Sequence, residues 1–243
     1  MPEGFWELFA AALAEEPGRV YARFDGAPIT FTDLDRMSAA VAAGLAARGV
    51  ARGDRVAVML RNGPGALALI FGLARAGMVW VPVNVALRGE GLRHVLTHCD
   101  PRALVVEADL LDRVRDCGAA LDGVVTLGTA ELDALLAEGA RHHAPPPAPA
   151  DTFAIMYTSG TTGPAKGVIV THRMLRLAGE GALLVAAARD GDVLFVWEPL
   201  YHIGGAQLIV LPLRRRVTLA MVGRFSASRF WEEVRAEGAT HIH

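Results

Sequence analysis

The chain has 243 residues, and 52 % of them are apolar, so it can bury a substantial core and is not a disordered polypeptide. Its 24 Lys and Arg residues nearly balance 26 Asp and Glu residues, and no basic run favours nucleic acid or an anionic membrane surface as a partner. Two cysteines, Cys99 and Cys117, argue against a disulfide framework and fit a cytoplasmic location. The start carries Glu3 and Glu7 instead of the positive segment of a signal peptide, and no apolar run predicts a membrane span.

The first 52 residues predict a helix, a hairpin and a second helix. Apolar residues recur at helical spacing from Phe5, and this first helix is expected to end near Pro17. Two runs with β-branched and aromatic residues then flank the turn 25–28, and this pattern is typical of a hairpin. Thr32 is the expected N-cap of the second helix, with Asp35 three residues later as an acidic partner in a capping box.

Beyond this point short apolar strands alternate with helices. Strands are predicted at 55–60, 79–83, 103–106, 124–127, 153–157, 168–171, 193–196 and 217–221, and helices at 66–76, 92–98, 110–120, 174–187, from about 205, and at 226–237. A proline-rich stretch over residues 139–150 is expected to be a stiff exposed connector. The alternation predicts an α/β fold with mostly parallel sheets flanked by helices.

The same pattern divides the chain into three regions. Residues 53–188 are expected to form a first α/β subdomain, and residues 189–243 the start of a second one. Residues 1–52 are expected to pack with that second subdomain. Because the sequence stops inside a predicted strand, we expect the second subdomain to be truncated, with apolar surface left uncovered around residues 208–213 and a homo-oligomer as the result.

A loop rich in glycine and threonine follows the predicted strand 153–157. Glycines such as Gly160 and Gly163 let backbone N–H groups approach an anion closely, and Lys166 supplies a compact positive charge. Hydroxyl donors for phosphate oxygens are Thr158, Ser159, Thr161 and Thr162. The combination predicts phosphate binding by residues 158–167, against the alternative of a passive turn between two strands. The loop is not of the GxxxxGK[ST] type, because Gly167 follows the lysine.

The run from Tyr157 to Gly167, YTSGTTGPAKG, resembles the signature loop of the adenylate-forming (AMP-binding) superfamily, of the acyl-CoA synthetase type. Ala165 stands where that family usually has proline. Further similar blocks, in the expected order, are residues 29–34, 53–58, 73–84, 171–172 and 199–204. The resemblance covers nearly all of the chain and a little under half of the family's full length, so the chain is expected to be an N-terminal part.

The resemblance implies a two-step reaction. ATP and a carboxylate form an acyl-adenylate and pyrophosphate, and a thiol, usually that of coenzyme A, then displaces AMP. It implies that ATP phosphates are bound by Thr158, Ser159, Gly160, Thr161, Thr162, Gly163 and Lys166, and that Thr161 makes an indirect contact with Mg²⁺. His202, in the block Pro-Leu-Tyr-His-Ile-Gly, is implied to lie near the carboxylate as the catalytic candidate, although a histidine capping a strand end is the plainer alternative.

The family's peptide-synthetase members carry an aspartate in this region to hold an α-amine, and the chain has none there. We therefore expect a small carboxylic acid substrate that is not an α-amino acid. The family's later blocks are missing, so the chain alone is expected to be inactive. The alternative function is a non-catalytic, self-associating module with at most weak phosphate or nucleotide binding.

Two further patterns have plain structural explanations. Residues 63–68 fit the dinucleotide fingerprint G-x-G-x-x-A, but the next strand ends in Val83 and Asn84 without the acidic residue that such a site needs. His94 and His98 have a spacing that could ligate zinc, but no second ligand cluster completes a site. We therefore predict no zinc site and a solvated helix face for the two histidines.

Overall fold

The computed structural model describes residues 3–140, 142, 144–158 and 163–242. The strands in this part of the chain are β1 (Val20–Phe24), β2 (Ala27–Thr30), β3 (Arg55–Met59), β4 (Val79–Pro82), β5 (Ala103–Val106), β6 (Val125–Leu127), β7 (Thr152–Tyr157), β8 (Gly167–Thr171), β9 (Val193–Val196), β10 (Thr218–Met221) and β11 (His241–Ile242). The α-helices are α1 (Phe5–Glu15), α2 (Phe31–Ala47), α3 (Pro64–Ala76), α4 (Gly89–Cys99), α5 (Leu111–Asp116), α6 (Thr129–Glu138), α7 (His172–Ala186), α8 (Ile203–Leu208), α9 (Leu211–Arg214) and α10 (Phe230–Ala236).

The strands form two sheets, and each is parallel apart from one hairpin at its edge. The larger sheet has the order β6-β5-β3-β4-β7-β8, in which only β7 and β8 are antiparallel. The smaller sheet has the order β11-β9-β10-β1-β2, in which only β1 and β2 are antiparallel. The predicted fold class, mostly parallel sheets flanked by helices, is confirmed. The subdomain boundaries at residues 52 and 188 stay a prediction.

An aromatic cluster joins the N-terminal elements to the core. Phe9 lies 4.9 Å from Phe71 of α3 and 6.1 Å from Phe31 of α2, measured between ring centroids. Tyr21 of β1 packs edge-on against Phe71 at 5.5 Å, and its hydroxyl donates to the carbonyl of Ile209 at 2.7 Å. All four rings are fully buried, so burial of large apolar surface ties α1 and the first hairpin to α3.

The N-cap of α2 lies two residues before the predicted one, so the prediction of Thr32 was wrong. The N-cap is Thr30, whose hydroxyl accepts from the backbone N–H of Asp33 at 3.1 Å, while the Asp33 carboxylate accepts from the N–H of Thr30 at 3.0 Å. Thr32 instead donates its hydroxyl to the carbonyl of Pro17. Thr30 and Asp33 have the same spacing as Thr32 and Asp35, so the sequence offers two capping boxes, and the structure uses the first, with the buried Phe31 as the first helical residue.

One helix was missed, and two others are shorter than predicted. Helix α6 precedes the proline-rich connector, and it buries Leu132 and Leu135. The segment is rich in Ala, Leu and Glu, which are strong helix formers, and Glu131 accepts from the backbone N–H of Gly128 at the helix start, so the helix could have been predicted from its composition. The predicted helix 110–120 consists of a 3₁₀ turn, Ala108–Leu110, followed by the short α5, and the predicted helix 226–237 begins only at Phe230.

The expectation of exposed apolar surface around residues 208–213 was wrong. Leu208, Ile209, Val210, Leu211 and Leu213 are all buried within this chain. Several exposed apolar side chains lie instead on the outer face of α7, where Met174, Leu177, Leu184 and Val185 are 48–90 % exposed. Within the described part of the chain, no helix combines the length and the apolarity needed to cross a bilayer.

Candidate phosphate-binding site

The predicted phosphate-binding loop closes the antiparallel hairpin of β7 and β8. Tyr157 pairs with Gly167 at the end of the hairpin next to the loop. One step further, the N–H of Thr158 donates to the carbonyl of Lys166 at 3.0 Å, and the N–H of Lys166 donates to the Thr158 hydroxyl oxygen at 3.1 Å. The base of the loop is therefore fixed by two hydrogen bonds. Ser159, Gly160, Thr161 and Thr162 lie outside the described residues.

At two positions of the loop, only glycine fits the backbone or the space available. Gly163 has a φ of +143°, in the region that side chains other than glycine rarely adopt. A Cβ on Gly167 would lie 2.7 Å from the Ile155 side chain across the hairpin. The glycine spacing therefore serves the turn and the close pairing of the two strands, and it leaves the limb from Gly163 to Lys166 partly exposed to a ligand.

A cavity of about 890 Å³ lies beside the hairpin, within the size range of small-molecule sites. Three segments line it: the end of β4 with α4, the β7–β8 hairpin with its loop, and residues 201–203. Thr158, Gly163 and His202 all contribute to this lining, so three predicted site residues come together. Lys166 is exposed and is not part of the lining, although its neighbour Ala165 is.

His202 is the N-cap residue of the short helix α8 and lines the same cavity as the hairpin. Its ring is exposed and packs edge-on against Tyr201 at 4.9 Å between centroids. The two glycines that follow permit a close turn: a Cβ on Gly205 would lie 2.4 Å from the carbonyl oxygen of Pro199. The motif therefore encodes a tight turn that presents His202 to the cavity.

The loop after β3 holds this turn in place. The side-chain amide of Asn62 donates to the carbonyl of Glu198 at 2.9 Å, and its oxygen accepts from the N–H of Leu200 at 2.9 Å. These two bonds connect the larger sheet to the segment that carries His202. The neighbouring Gly65, part of the dinucleotide-like pattern, packs against Leu132 of α6, where a Cβ would lie 3.1 Å from that side chain.

The expectation of a solvated face holds for His98, which is exposed, whereas His94 is half-buried, and both rings also contact the β7–β8 hairpin. His94 Nε2 lies 2.8 Å from the carbonyl oxygen of Ala165, and His98 Nδ1 lies 2.6 Å from the hydroxyl of Tyr157. Their i, i+4 spacing put them on one face of α4, but helical periodicity alone does not say which neighbour that face meets. Among the described residues no group of three or more metal-ligating side chains is present.

Lys166 is the single lysine of the chain, and the other 23 basic residues counted with it are arginines. Arginine is therefore the usual basic residue of this chain, and position 166 is the exception. An ammonium is a compact point charge with three donors, whereas a guanidinium is a wide planar fork. The sequence therefore places the smaller cationic group in the glycine-rich loop.

His172, which follows the hairpin, is fully buried as the first residue of α7. Its ring lies 5.3 Å from Phe153 and 6.4 Å from Phe5, measured between centroids. Burial lowers the pKa of His172 to about 4, and the nearby Asp151 opposes this only in part. The ring is therefore neutral at pH 7 and belongs to the core.

The fold has two sheets, and a glycine- and threonine-rich loop on one hairpin lies beside a cavity. The turn that carries His202 lines the same cavity. This combination is that of the N-terminal region of an adenylate-forming enzyme. The chain belongs to the AMP-binding enzyme family, whose pattern it matches over residues 9–243. The predicted family is confirmed.

Two relatives show what the chain is similar to. It is 34 % identical to the medium/long-chain-fatty-acid–CoA ligase FadD6 of Mycobacterium tuberculosis over 96 % of its own length, and 32 % identical to the sulfoacetate–CoA ligase of Cupriavidus necator over 97 %. These matches span only 40 % and 48 % of the two relatives. The chain thus corresponds to an N-terminal part of such enzymes, as predicted.

Solved structures agree with the fold. The N-terminal domain of FACL13 from Mycobacterium tuberculosis superimposes with a TM-score of 0.90 at 25 % identity, over 98 % of this chain and 62 % of that one. VinN in complex with L-aspartate superimposes with a TM-score of 0.86 at 26 % identity, over 99 % of this chain and 67 % of that one.

Proposed function

We propose that the chain is the N-terminal part of an ATP-dependent acyl-CoA synthetase, which joins a carboxylate to AMP and then transfers the acyl group to coenzyme A. The observation that carries this is the convergence of Thr158, Gly163 and His202 on one cavity, with Lys166 at its edge. The names of the two relatives, both CoA ligases, support the same reaction class.

In this proposal the loop neutralises the triphosphate. Lys166 supplies the positive charge and Thr158 a hydroxyl donor, and Ser159, Gly160, Thr161, Thr162 and Gly163 complete the phosphate contacts. Fixed donors of this kind act most strongly where negative charge grows as the carboxylate oxygen attacks the α-phosphorus. The exposed limb and the adjoining cavity have the room that a triphosphate requires.

The proposed Mg²⁺ would be held chiefly by phosphate oxygens, with Thr161 in indirect contact. Mg²⁺ in nucleotide sites usually has few protein ligands and several waters, so most of its contacts in this proposal are to the phosphates. Coenzyme A is proposed as the thiol that accepts the acyl group.

The proposed substrate is a small carboxylic acid without an α-amino group, placed near His202. Apolar side chains, among them Leu87, Val95 and Ile203, form much of the cavity wall. The acidic side chain on that wall, Glu90, is paired with Arg93 at 2.6–2.7 Å and is not directed at a ligand amine. VinN binds L-aspartate, so measured binding of aspartate to this chain would overturn the exclusion of amino acids.

We further propose that the chain does not complete the reaction alone, because catalysis needs all reacting groups held together and the chain spans less than half of its relatives. Incubation with ATP, coenzyme A and a panel of carboxylates should give no acyl-CoA above a heat-killed control. Turnover clearly above that control would contradict the proposal. A cytoplasmic location also stays a prediction.

The central test is the substitution Lys166→Ala. Loss of one charged contact to phosphate is expected to weaken Mg-ATP binding by about tenfold to a hundredfold, measured by calorimetry. Tm should stay within about 2 °C, because an exposed side chain contributes little packing. The matched control is Arg115→Ala, an exposed basic residue on α5 outside the cavity wall, which should bind like wild type. Equal affinities for all three proteins would remove the assignment.

The exposed face of α7 favours the second candidate, a self-associating module. Light scattering at micromolar concentration should then give a dimer or larger species, and the double substitution Leu184→Glu and Val185→Glu should give a monomer. A monomeric wild-type protein that binds Mg-ATP would leave the first proposal alone.

A further inference from the structure

Helix α4 contacts both limbs of the phosphate-binding loop from outside the hairpin. His98 lies against Tyr157, at the end of β7, and His94 lies against Ala165, on the limb that leads into β8. The two imidazoles are one helical turn apart, with ring centroids 5.5 Å from each other. One rigid helix therefore reaches the loop at its entry and at its exit.

The chemistry of these contacts fixes which group donates. The Ala165 carbonyl can only accept, so His94 donates from Nε2–H. Burial raises the pKa of Tyr157 to about 12, and the phenol therefore keeps its proton at neutral pH. The phenol O–H therefore donates to Nδ1 of His98, with the ring proton of that histidine on Nε2.

The bond from His94 restrains a residue, Ala165, that lies outside the two hydrogen bonds at the base of the loop. The hydrogen bonds between Thr158 and Lys166 close the base, but Ala165 has no ring to fix its own φ. The Ala165 carbonyl belongs to the peptide that joins it to Lys166, so its orientation sets the direction in which the Lys166 side chain leaves the backbone. Holding that carbonyl reduces the conformational freedom that the loop loses when it binds phosphate.

We propose that His94 and His98 are positioning residues of the phosphate-binding loop, which hold its two limbs over the cavity so that Lys166 and Thr158 meet a polyphosphate in one arrangement. The identity of the ligand rests on the proposed function, but the positioning itself does not. If the histidines served only the stability of the fold, their loss would lower Tm without altering the loop in the folded protein.

The single lysine provides a direct measurement of the loop. A protease that cleaves after lysine can cut this chain only at the bond between Lys166 and Gly167. His94→Phe keeps a planar ring but removes the donor, whereas His94→Gln keeps an N–H donor. Thr97→Ala is the matched control, because Thr97 is exposed on the same helix. His98→Phe and His98→Gln give the same comparison at the other limb.

At equal Tm, His94→Phe should be cut about threefold to tenfold faster than wild type, as expected for loss of one hydrogen bond. His94→Gln should fall within about twofold of wild type, and Thr97→Ala should match it. Equal cleavage of His94→Phe and wild type would overturn the proposal. Should His94→Phe fail to fold, the two His98 variants decide the question by the same criterion.

Ligand binding supplies the second measurement. The Kd for Mg-ATP and for inorganic pyrophosphate should rise about threefold to tenfold in His94→Phe and return toward the wild-type value in His94→Gln. Unchanged affinities with a lower Tm would reduce both histidines to a structural role. If neither ligand slows cleavage of the wild-type chain, the proposed ATP site fails, while the cleavage rates without ligand still decide the positioning role.

Discussion

Helices α3 and α7 are similar in length but differ in how much of their surface the rest of the chain covers. Ten of the 13 residues of α3 are buried, whereas only His172, Leu175 and Gly179 are buried among the 15 residues of α7. Helix α3 packs between α2 and the larger sheet, and α7 keeps a narrow buried stripe with apolar side chains outside it. Apolar composition therefore predicts a helix, but it does not tell whether the surfaces that cover the helix belong to the same chain.

The comparison is tested most strongly by the same substitution in both helices. Leu67→Ala in α3 removes a fully buried side chain and should lower the free energy of unfolding by about 2–5 kcal/mol, because a cavity remains. Leu184→Ala in α7 changes a side chain that is 83 % exposed and should alter it by less than about 0.5 kcal/mol. Urea denaturation of both variants measures the difference, and similar losses would show that α7 is covered in solution.

His172 gives a pH-dependent version of the comparison, since the buried stripe of α7 begins at this ring. The unfolded chain protonates histidine near pH 6.5, but burial lowers the pKa of His172 to about 4 in the folded protein. Protons therefore bind the unfolded state more strongly in this window, and stability should fall by about 3 kcal/mol as the pH drops from 6.5 to 4.

The control for this prediction is His172→Phe, which retains an aromatic ring beside Phe5 and Phe153. The difference in free energy of unfolding between the variant and wild type should change with pH between 6.5 and 4 and be constant above pH 7. A constant difference over the whole range would mean that the ring is solvated.

Two glycines sharpen the comparison with smaller effects. A Cβ on Gly72 of α3 would lie 2.6 Å from the Val41 side chain and 2.9 Å from the carbonyl of Ser38, so Gly72→Ala should destabilise the protein by about 1–3 kcal/mol. A Cβ on Gly181 of α7 would meet nothing within 4 Å, so Gly181→Ala should stabilise it by about 0.4–1 kcal/mol through higher helix propensity. Thermal melts of both variants should therefore shift in opposite directions.

The sequence predicted the α/β alternation and the loop because both are local patterns. Apolar runs separated by helical periods indicate strands and helices, and glycines, hydroxyls and one lysine within ten residues indicate a phosphate site. The cap at Thr30 was missed because two overlapping capping boxes, Thr30 with Asp33 and Thr32 with Asp35, are equally spaced in the sequence, and local spacing does not choose between them. The contacts of His94 and His98 were missed for a different reason: the path of α4 past the β7–β8 hairpin depends on elements far apart in the chain.

The pairing of β1 with β10 has a consequence for how the protein is made. Ala22 lies opposite Leu219, 197 positions later in the chain, so β1 cannot pair with β10 until those residues have left the ribosome. At synthesis rates of about 5–20 residues per second this delay is roughly 10–40 s. During that time the first hairpin has an unpaired edge and Tyr21 lacks the Ile209 carbonyl that accepts its hydroxyl hydrogen bond. Of the two sheets, the smaller one therefore leaves a strand edge without its partner for longer during synthesis, and unpaired strand edges are where nascent chains associate wrongly.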